Sequence, residues 1–227
     1  MPKRGTCYAV RNAAPATLGL LVVSAQRVNR LGEEVTAVPV RRVLDTPVDI
    51  EIGSGFVAVG RLVRVHILEL EEPVLELDDT EQDAVDAALA ELLLVKQLCA
   101  PEPRRPGTPD VDHAYPRWGR IYYAEAALGG QIKRWLVVSH NYFNASTGYA
   151  VCVRTTSQVH LQGPSLPFIQ RGFALAVAPD VQTKPHARFD LLSADHLEQV
   201  TFEELRPVVI GLANHLQLIS FTGLRPR

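Results

Sequence analysis

A chain of 227 residues, 47% apolar and 21% charged, carries enough hydrophobic side chain for a packed core and is not a disordered segment. Its longest apolar runs, residues 18–25 and 208–213, are far shorter than the roughly 20 residues a bilayer-crossing helix requires, so no membrane span is expected. The formal net charge of −2 divides unevenly: residues 1–116 hold 12 Lys and Arg against 18 Asp and Glu, a net of −6, and residues 117–227 hold 11 against 7, a net of +4. A phosphate-bearing partner therefore fits the second half better.

The chain begins MPKRGTCYAV, with two basic residues but no apolar stretch after them, which argues against a secretory signal and for the cytoplasm. Short β-branched runs alternate with turn residues through CYAV, LGLLVVS, EVTAVPVRR, PVDIEI and FVAVGRLVRVHIL, the pattern of a small sheet of about five strands. The acidic run from Glu69 to Asp86 reads as a solvated loop and helix start, or as a mimic of a phosphate backbone that could occupy a basic groove. Residues 80–98 (TEQDAVDAALAELLLVKQL) combine good helix formers, a cap residue at Asp79 or Thr80 and apolar residues at helical spacing, which predicts a helix.

Residues 99–116 carry five prolines, at 101, 103, 106, 109 and 116. Proline removes backbone donors and fixes φ, so this stretch is a linker between a unit at 1–98 and a unit at 117–227. Beyond it RIYYAE, KRWLVVSHN, GYAVCVRTTS and GFALAVA read as strands, and residues 193–218 as a helical turn followed by a helix from Phe202. Cys7, Cys99 and Cys152 show no CxxC pair or ligand spacing, and are expected to be buried thiols without a disulfide or a zinc site.

The two halves repeat. LGLLVVSAQRVN (18–29) and KRWLVVSHNYFN (133–144) share LVVS, four variable residues and Asn at an offset of 115, and residues 18–42 align on 133–157 without a gap. Repeats are single structural units and are identified before any motif is interpreted.

RGTCYAV, LGLLVVSAQRVN and VTAVPVRR in the first unit, and GRIYYAE, KRWLVVSHNYFN, AVCVRTTS and LAVAPDVQTKPHAR in the second, follow the motif order of a known family. Each unit resembles the MazF/PemK (Kid/CcdB-like) toxin endoribonucleases. The resemblance implies a mainly β fold with helices, two tandem SH3-like small β-barrels each ending in a helix, arranged as a pseudo-dimer within one chain. It also implies cleavage of single-stranded RNA without metal or cofactor, by attack of a 2′-hydroxyl on the adjacent phosphorus, and an antitoxin protein as partner. Such a reaction needs cations and hydroxyl or backbone donors around the developing phosphorane, and an acid or base to move the proton.

Carried over residue by residue, the resemblance sets Lys133 at the family's arginine, Arg134 at the proline after it, and Thr156 and Ser157 at the Thr-Ser pair. The first unit has Leu18 and Gly19, then Arg41 and Arg42, at those positions, so its site is expected to be lost. Arg154, Lys184, His186 and Arg188 are candidates for gripping RNA; Trp135 and Tyr142 are candidates for stacking bases from exposed positions. The alternative is a non-catalytic module of the same fold that holds a protein or RNA partner.

Overall fold

The computed structural model describes residues 1–11, 13–14, 16–99, 115–125, 132–158, 168–169, 174–191 and 200–222. The first half runs β1 (Thr6–Val10), β2 (Thr17–Val22), α1 (Gln26–Asn29), β3 (Glu34–Arg41), β4 (Ile50–Ile52), β5 (Gly55–Val57), β6 (Val63–His66), β7 (Leu70–Glu76), α2 (Asp79–Leu92) and α3 (Val95–Cys99). The second runs β8 (Ile121–Glu125), β9 (Ile132–Val137), α4 (Asn141–Thr147), β10 (Tyr149–Thr156), β11 (Phe168–Ile169), β12 (Ala174–Pro185) and α5 (Phe202–His215). The Pro-rich stretch 100–114, the turn expected at 193–199 and the Gly172-Phe173 start of the GFALAVA strand lie outside the described residues.

The chain is thus mainly antiparallel β with helices. One sheet has the order β4-β5-β3-β2-β1-β7, with β6 also paired to β3; the other has the order β11-β12-β10-β9-β8. Both ladders are open among the described residues, so neither half forms a closed barrel there. β3 shows why the first sheet curls without closing: its end at Val40 and Arg41 pairs with β5, while Glu34–Ala37 pairs with β6.

Two local expectations are corrected. The acidic run contains a strand, β7, which pairs with β1, and its carboxylates meet cations of the same half: Glu76 with Lys3, Glu71 with Arg11 and Asp86 with Arg4. Charged side chains and a proline suit a sheet edge, which β7 is. The helix expected over 80–98 breaks at Leu94, whose φ is +53°, and resumes as α3.

The same hydrogen bonds recur in the two halves. Ser24 Oγ donates to Asn29 Oδ1 and accepts from Thr36 N–H (3.0 Å), while Asn29 Nδ2 donates to the Ser24 carbonyl. Ser139 Oγ donates to Asn144 Oδ1 and accepts from Val151 N–H (2.8 Å), while Asn144 Nδ2 donates to the Ser139 carbonyl. These buried polar groups satisfy one another, which is the condition for placing Ser and Asn inside a core. Helices α2 and α5 each have 14 residues and each begins with a capping box, Asp78/Glu81 and Thr201/Glu204.

Each half also bonds to the other half's long helix. Ala25 N–H donates to the His215 carbonyl at the end of α5 (2.7 Å), and His140 N–H donates to the Leu92 carbonyl at the end of α2 (3.2 Å). The largest apolar cluster draws on both halves, with Leu21, Val38, Leu89 and Leu98 beside Leu136, Val151, Leu205 and Leu212. Two smaller clusters lie on the opposite sheet faces: Val22, Val35, Ala37 and Val65 in the first half, and Tyr122, Trp135, Val137, Cys152 and Phe189 in the second. No helix among the described residues is long and apolar enough to cross a membrane.

Candidate functional site

β9 and β10 position the sequence candidates. Cys152 lies opposite Val137, Val153 opposite Leu136 and Arg154 opposite Trp135, and Thr155 Oγ1 donates to the Arg134 carbonyl at 3.1 Å. The same antiparallel register, carried two residues beyond Arg154, sets Thr156 opposite Lys133. Side chains alternate across a strand. Leu136 and Val138 enter the large shared cluster and Trp135 and Val137 the small one. Lys133, Arg154 and Thr156 therefore share the Trp135 face, and Arg134 shares the other face with Thr155. Lys133, Arg134 and Thr156 are half-buried and Ser157 is exposed, so cations and hydroxyls at this strand end remain open to solvent.

Thr156 Oγ1 accepts the Gln158 N–H at 3.3 Å, a local bond at the strand end. A hydroxyl that accepts keeps its own proton available for donation. Arg154 does not reach into solvent alone: its Nε sits 2.6 Å from Asp180 Oδ2, and the other oxygen of Asp180 is 3.1 Å from Nη1 of Arg64 in the first half. Gln182 Nε2 donates to the same carboxylate at 2.8 Å, and Asp180 is 4% exposed. Asp180 and Arg64 were not candidates in the sequence, because nothing in the chain order of either residue shows that strand β6 of one half meets β12 of the other.

Two expectations fail on burial. Trp135 is 1% exposed, so it offers no face to a base. Lys184 is 4% exposed, with its Nζ 4.0 Å from the centre of the Trp135 ring and 2.9 Å from the Glu125 carbonyl. Burial lowers the Lys184 pKa from its usual value, and an ammonium so enclosed is held by the ring and carbonyl instead of by phosphate. The physical reason is the alternation of β12, which turns Lys184 onto the same face as Trp135. Arg188 is exposed and paired with Glu125. His186 packs its ring on Tyr115 at 6.4 Å, and burial lowers its pKa. Tyr142 is 74% exposed, as expected, but lies on α4, away from the β9–β10 strand end.

In the first half the corresponding strand end is closed. Leu18 packs partly buried against the shared core. A Cβ at Gly19 would come within 2.4 Å of the Tyr8 carbonyl oxygen and 2.7 Å of Cys7 Sγ, so no basic side chain fits there. Arg41 is tied to Asp45 at 3.1 Å. Cys7 and Cys152 are buried free thiols whose pKa burial raises, that of Cys7 to about 12. Among the described residues no three His, Cys, Asp or Glu side chains are grouped to hold a metal ion.

The sequence matches no protein-family model and no curated protein. The fold is similar in part to solved toxin structures. An endoribonuclease from a mycobacterial species, solved with its cognate antitoxin, is 25% identical over 40% of this chain and 92% of that chain, at a TM-score of 0.37. MazF from Deinococcus radiodurans is 19% identical over 44% and 94%, at 0.33. The Mycobacterium tuberculosis toxin MazF-mt6 is 15% identical over 38% and 93%, at 0.32.

Proposed function

We propose that the chain is a duplicated MazF/PemK-like endoribonuclease: residues 1–98 form a degenerate unit, residues 117–227 the active one, and the two make a pseudo-dimer of small, SH3-like β-units. The single observation that supports this reading is the β9–β10 pairing, whose register from Arg154 opposite Trp135, extended to the strand end, assigns half-buried Lys133 and Thr156 to one face. The duplicated Ser–Asn networks and the reciprocal bonds to α2 and α5 support the pseudo-dimer.

In the reaction the 2′-oxygen of the RNA forms a bond to phosphorus and the bond from phosphorus to the 5′-oxygen breaks. The 2′-hydroxyl proton is lost and one is delivered to the leaving oxygen, giving a 2′,3′-cyclic phosphate and a 5′-hydroxyl. Lys133 stabilises the charge that develops on the non-bridging oxygens, and the hydroxyls of Thr156 and Ser157 donate to it. Arg188, once released from Glu125, contributes a cation for a flanking phosphate. Growth inhibition by cutting mRNA, relieved by an antitoxin, follows from this activity.

The test is incubation of the purified chain with a long single-stranded RNA in EDTA, with fragment ends mapped beside the Lys133→Ala and Thr156→Ala variants. Discrete cuts bearing 5′-hydroxyls, reduced at least 100-fold in either variant, are expected. Intact RNA at high protein excess would replace this reading with the non-catalytic module.

A further inference from the structure

Two clefts flank the long helices at matching places in the halves. One, of about 410 Å³, lies between α1 and the end of α5 and includes Arg27 and Asn214. The other, of about 280 Å³, lies between α4 and the end of α2 and includes Tyr142 and Glu91. Arg27 and Tyr142 are each the second residue of their short helices, and Asn214 and Glu91 are each the second-to-last residue of their long ones. The architecture is shared and the charge is opposite. Among the described residues the α5 cleft is lined by an arginine and no acid, whereas the α2 cleft is lined by Glu91 and Asp49 and by no Lys or Arg.

Each group of the α2 cleft favours a cation. Glu91 is exposed in the last turn of α2, where the carbonyl end of the helix dipole is already negative and which itself holds no basic residue. Asp49 contributes a second charge while its oxygens are held by Asp45 N–H, Thr46 N–H and the Thr46 hydroxyl. His140 adds no positive charge at neutral pH: its Nδ1 accepts the Phe143 N–H at 3.0 Å, and burial lowers its pKa against the opposing pull of Glu91. Tyr142 stacks on His140 at 6.3 Å between ring centres and leaves its other face to solvent. Val48, Ile50 and Leu92 supply an apolar floor.

We propose that this cleft is a docking site for an arginine side chain presented by a basic segment of a protein partner. The methylenes lie on the apolar floor, the guanidinium stacks on Tyr142 and pairs with Glu91, and the cleft volume suits one such side chain. Two carboxylates in the lining repel a nucleic-acid backbone, so Tyr142 is assigned to protein recognition and not to RNA stacking. This site is separate from the β9–β10 strand end and does not depend on the activity proposed there.

The experiment follows the Tyr142 and His140 ring resonances of the full chain, with carbon-13-labelled tyrosine and histidine, during titration with the peptide acetyl-Gly-Arg-Arg-Gly-amide. Both rings are expected to shift together and to saturate, with affinity falling about fivefold in Glu91→Gln and with added salt. Glu91 is exposed at the end of a helix, and a well-dispersed spectrum of the variant verifies that it folds. Rings unmoved by the peptide, or an affinity unchanged by Glu91→Gln, would overturn the proposal. So would a Tyr142 shift caused by oligodeoxyuridine, which would return the residue to nucleic-acid binding. A Tyr142 shift in Arg104→Ser/Arg105→Ser without peptide would assign the cleft to the chain's own basic pair and also overturn it.

Discussion

Thr36 Oγ1 and His215 Nε2 are hydrogen-bonded at 2.8 Å across the two halves, and His215 is buried beside the carbonyl that receives Ala25 N–H. Burial first, and the charge of Arg64 second, lower the His215 pKa to about 4. The unfolded chain takes up a proton near pH 6.5 while the folded chain refuses it until about pH 4. This contribution to stability is therefore complete above pH 6.5 and lost as pH falls to 4, by about 3 kcal/mol for a shift of this size. His140 and His186 act in the same direction, since burial lowers both. Urea unfolding of wild type and His215→Gln at pH 7 and pH 4.5 should show a smaller loss of stability on acidification in the variant, whose amide keeps a partner for Thr36. An equal loss in both would remove His215 as the acid-sensitive group. At this scale Lys133 and Thr156 became candidates through the family resemblance, which fixes them by their places before LVVS and at the end of the next strand. The burial of Trp135 and Lys184 was not, since their shared face is set by the pairing of β12 with β10, which residue order does not contain.

Among the elements, the strands carrying alternating apolar residues were legible close to their observed bounds: CYAV lies within β1 and EVTAVPVRR covers β3. The strand β7 was hidden by its charge, and the short helices α1 and α4 by their length, which gives no periodicity to detect. The capping boxes of α2 and α5 have both signals, a cap oxygen and a glutamate three residues on, and each makes both reciprocal bonds. At the start of α5 the Glu204 N–H donates to Thr201 Oγ1, and Glu204 Oε2 accepts the Thr201 N–H at 2.9 Å. This start matters because α5 contains Pro207, which removes one later backbone donor from the helix. Thr201→Ala is expected to cost about 1 kcal/mol in urea or thermal unfolding. A Thr201→Ser variant, which keeps the oxygen, should recover most of it; if serine were as damaging as alanine, the cap would not be the cause.

For the whole molecule the decisive feature is that the two halves do not keep separate cores. Leu62 N–H donates to Thr183 Oγ1 and Thr183 N–H to the Leu62 carbonyl, both at 2.8 Å, so the sheets are joined along a seam. Arg4 at the start of the chain donates to the Leu216 carbonyl at the end of α5 and pairs with Asp86 of α2, a largely buried ion pair whose loss on one side would leave a charge uncompensated. Such coupling makes one cooperative unfolding step the expected behaviour of the chain. It also gives a direct measurement, because both tryptophans, Trp118 and Trp135, belong to the second half. Leu89, fully buried on α2 in the first half, touches the shared cluster. Leu89→Ala should destabilise the protein by 2–5 kcal/mol, and tryptophan fluorescence should register the full shift in urea midpoint although the substitution is in the half without tryptophan. If the two halves were independent, that fluorescence transition would stay where it is in the wild type while far-ultraviolet circular dichroism split into two steps. A common shift would show that the helix α2 and the seam of the first half complete the core on which the second half's strands are held.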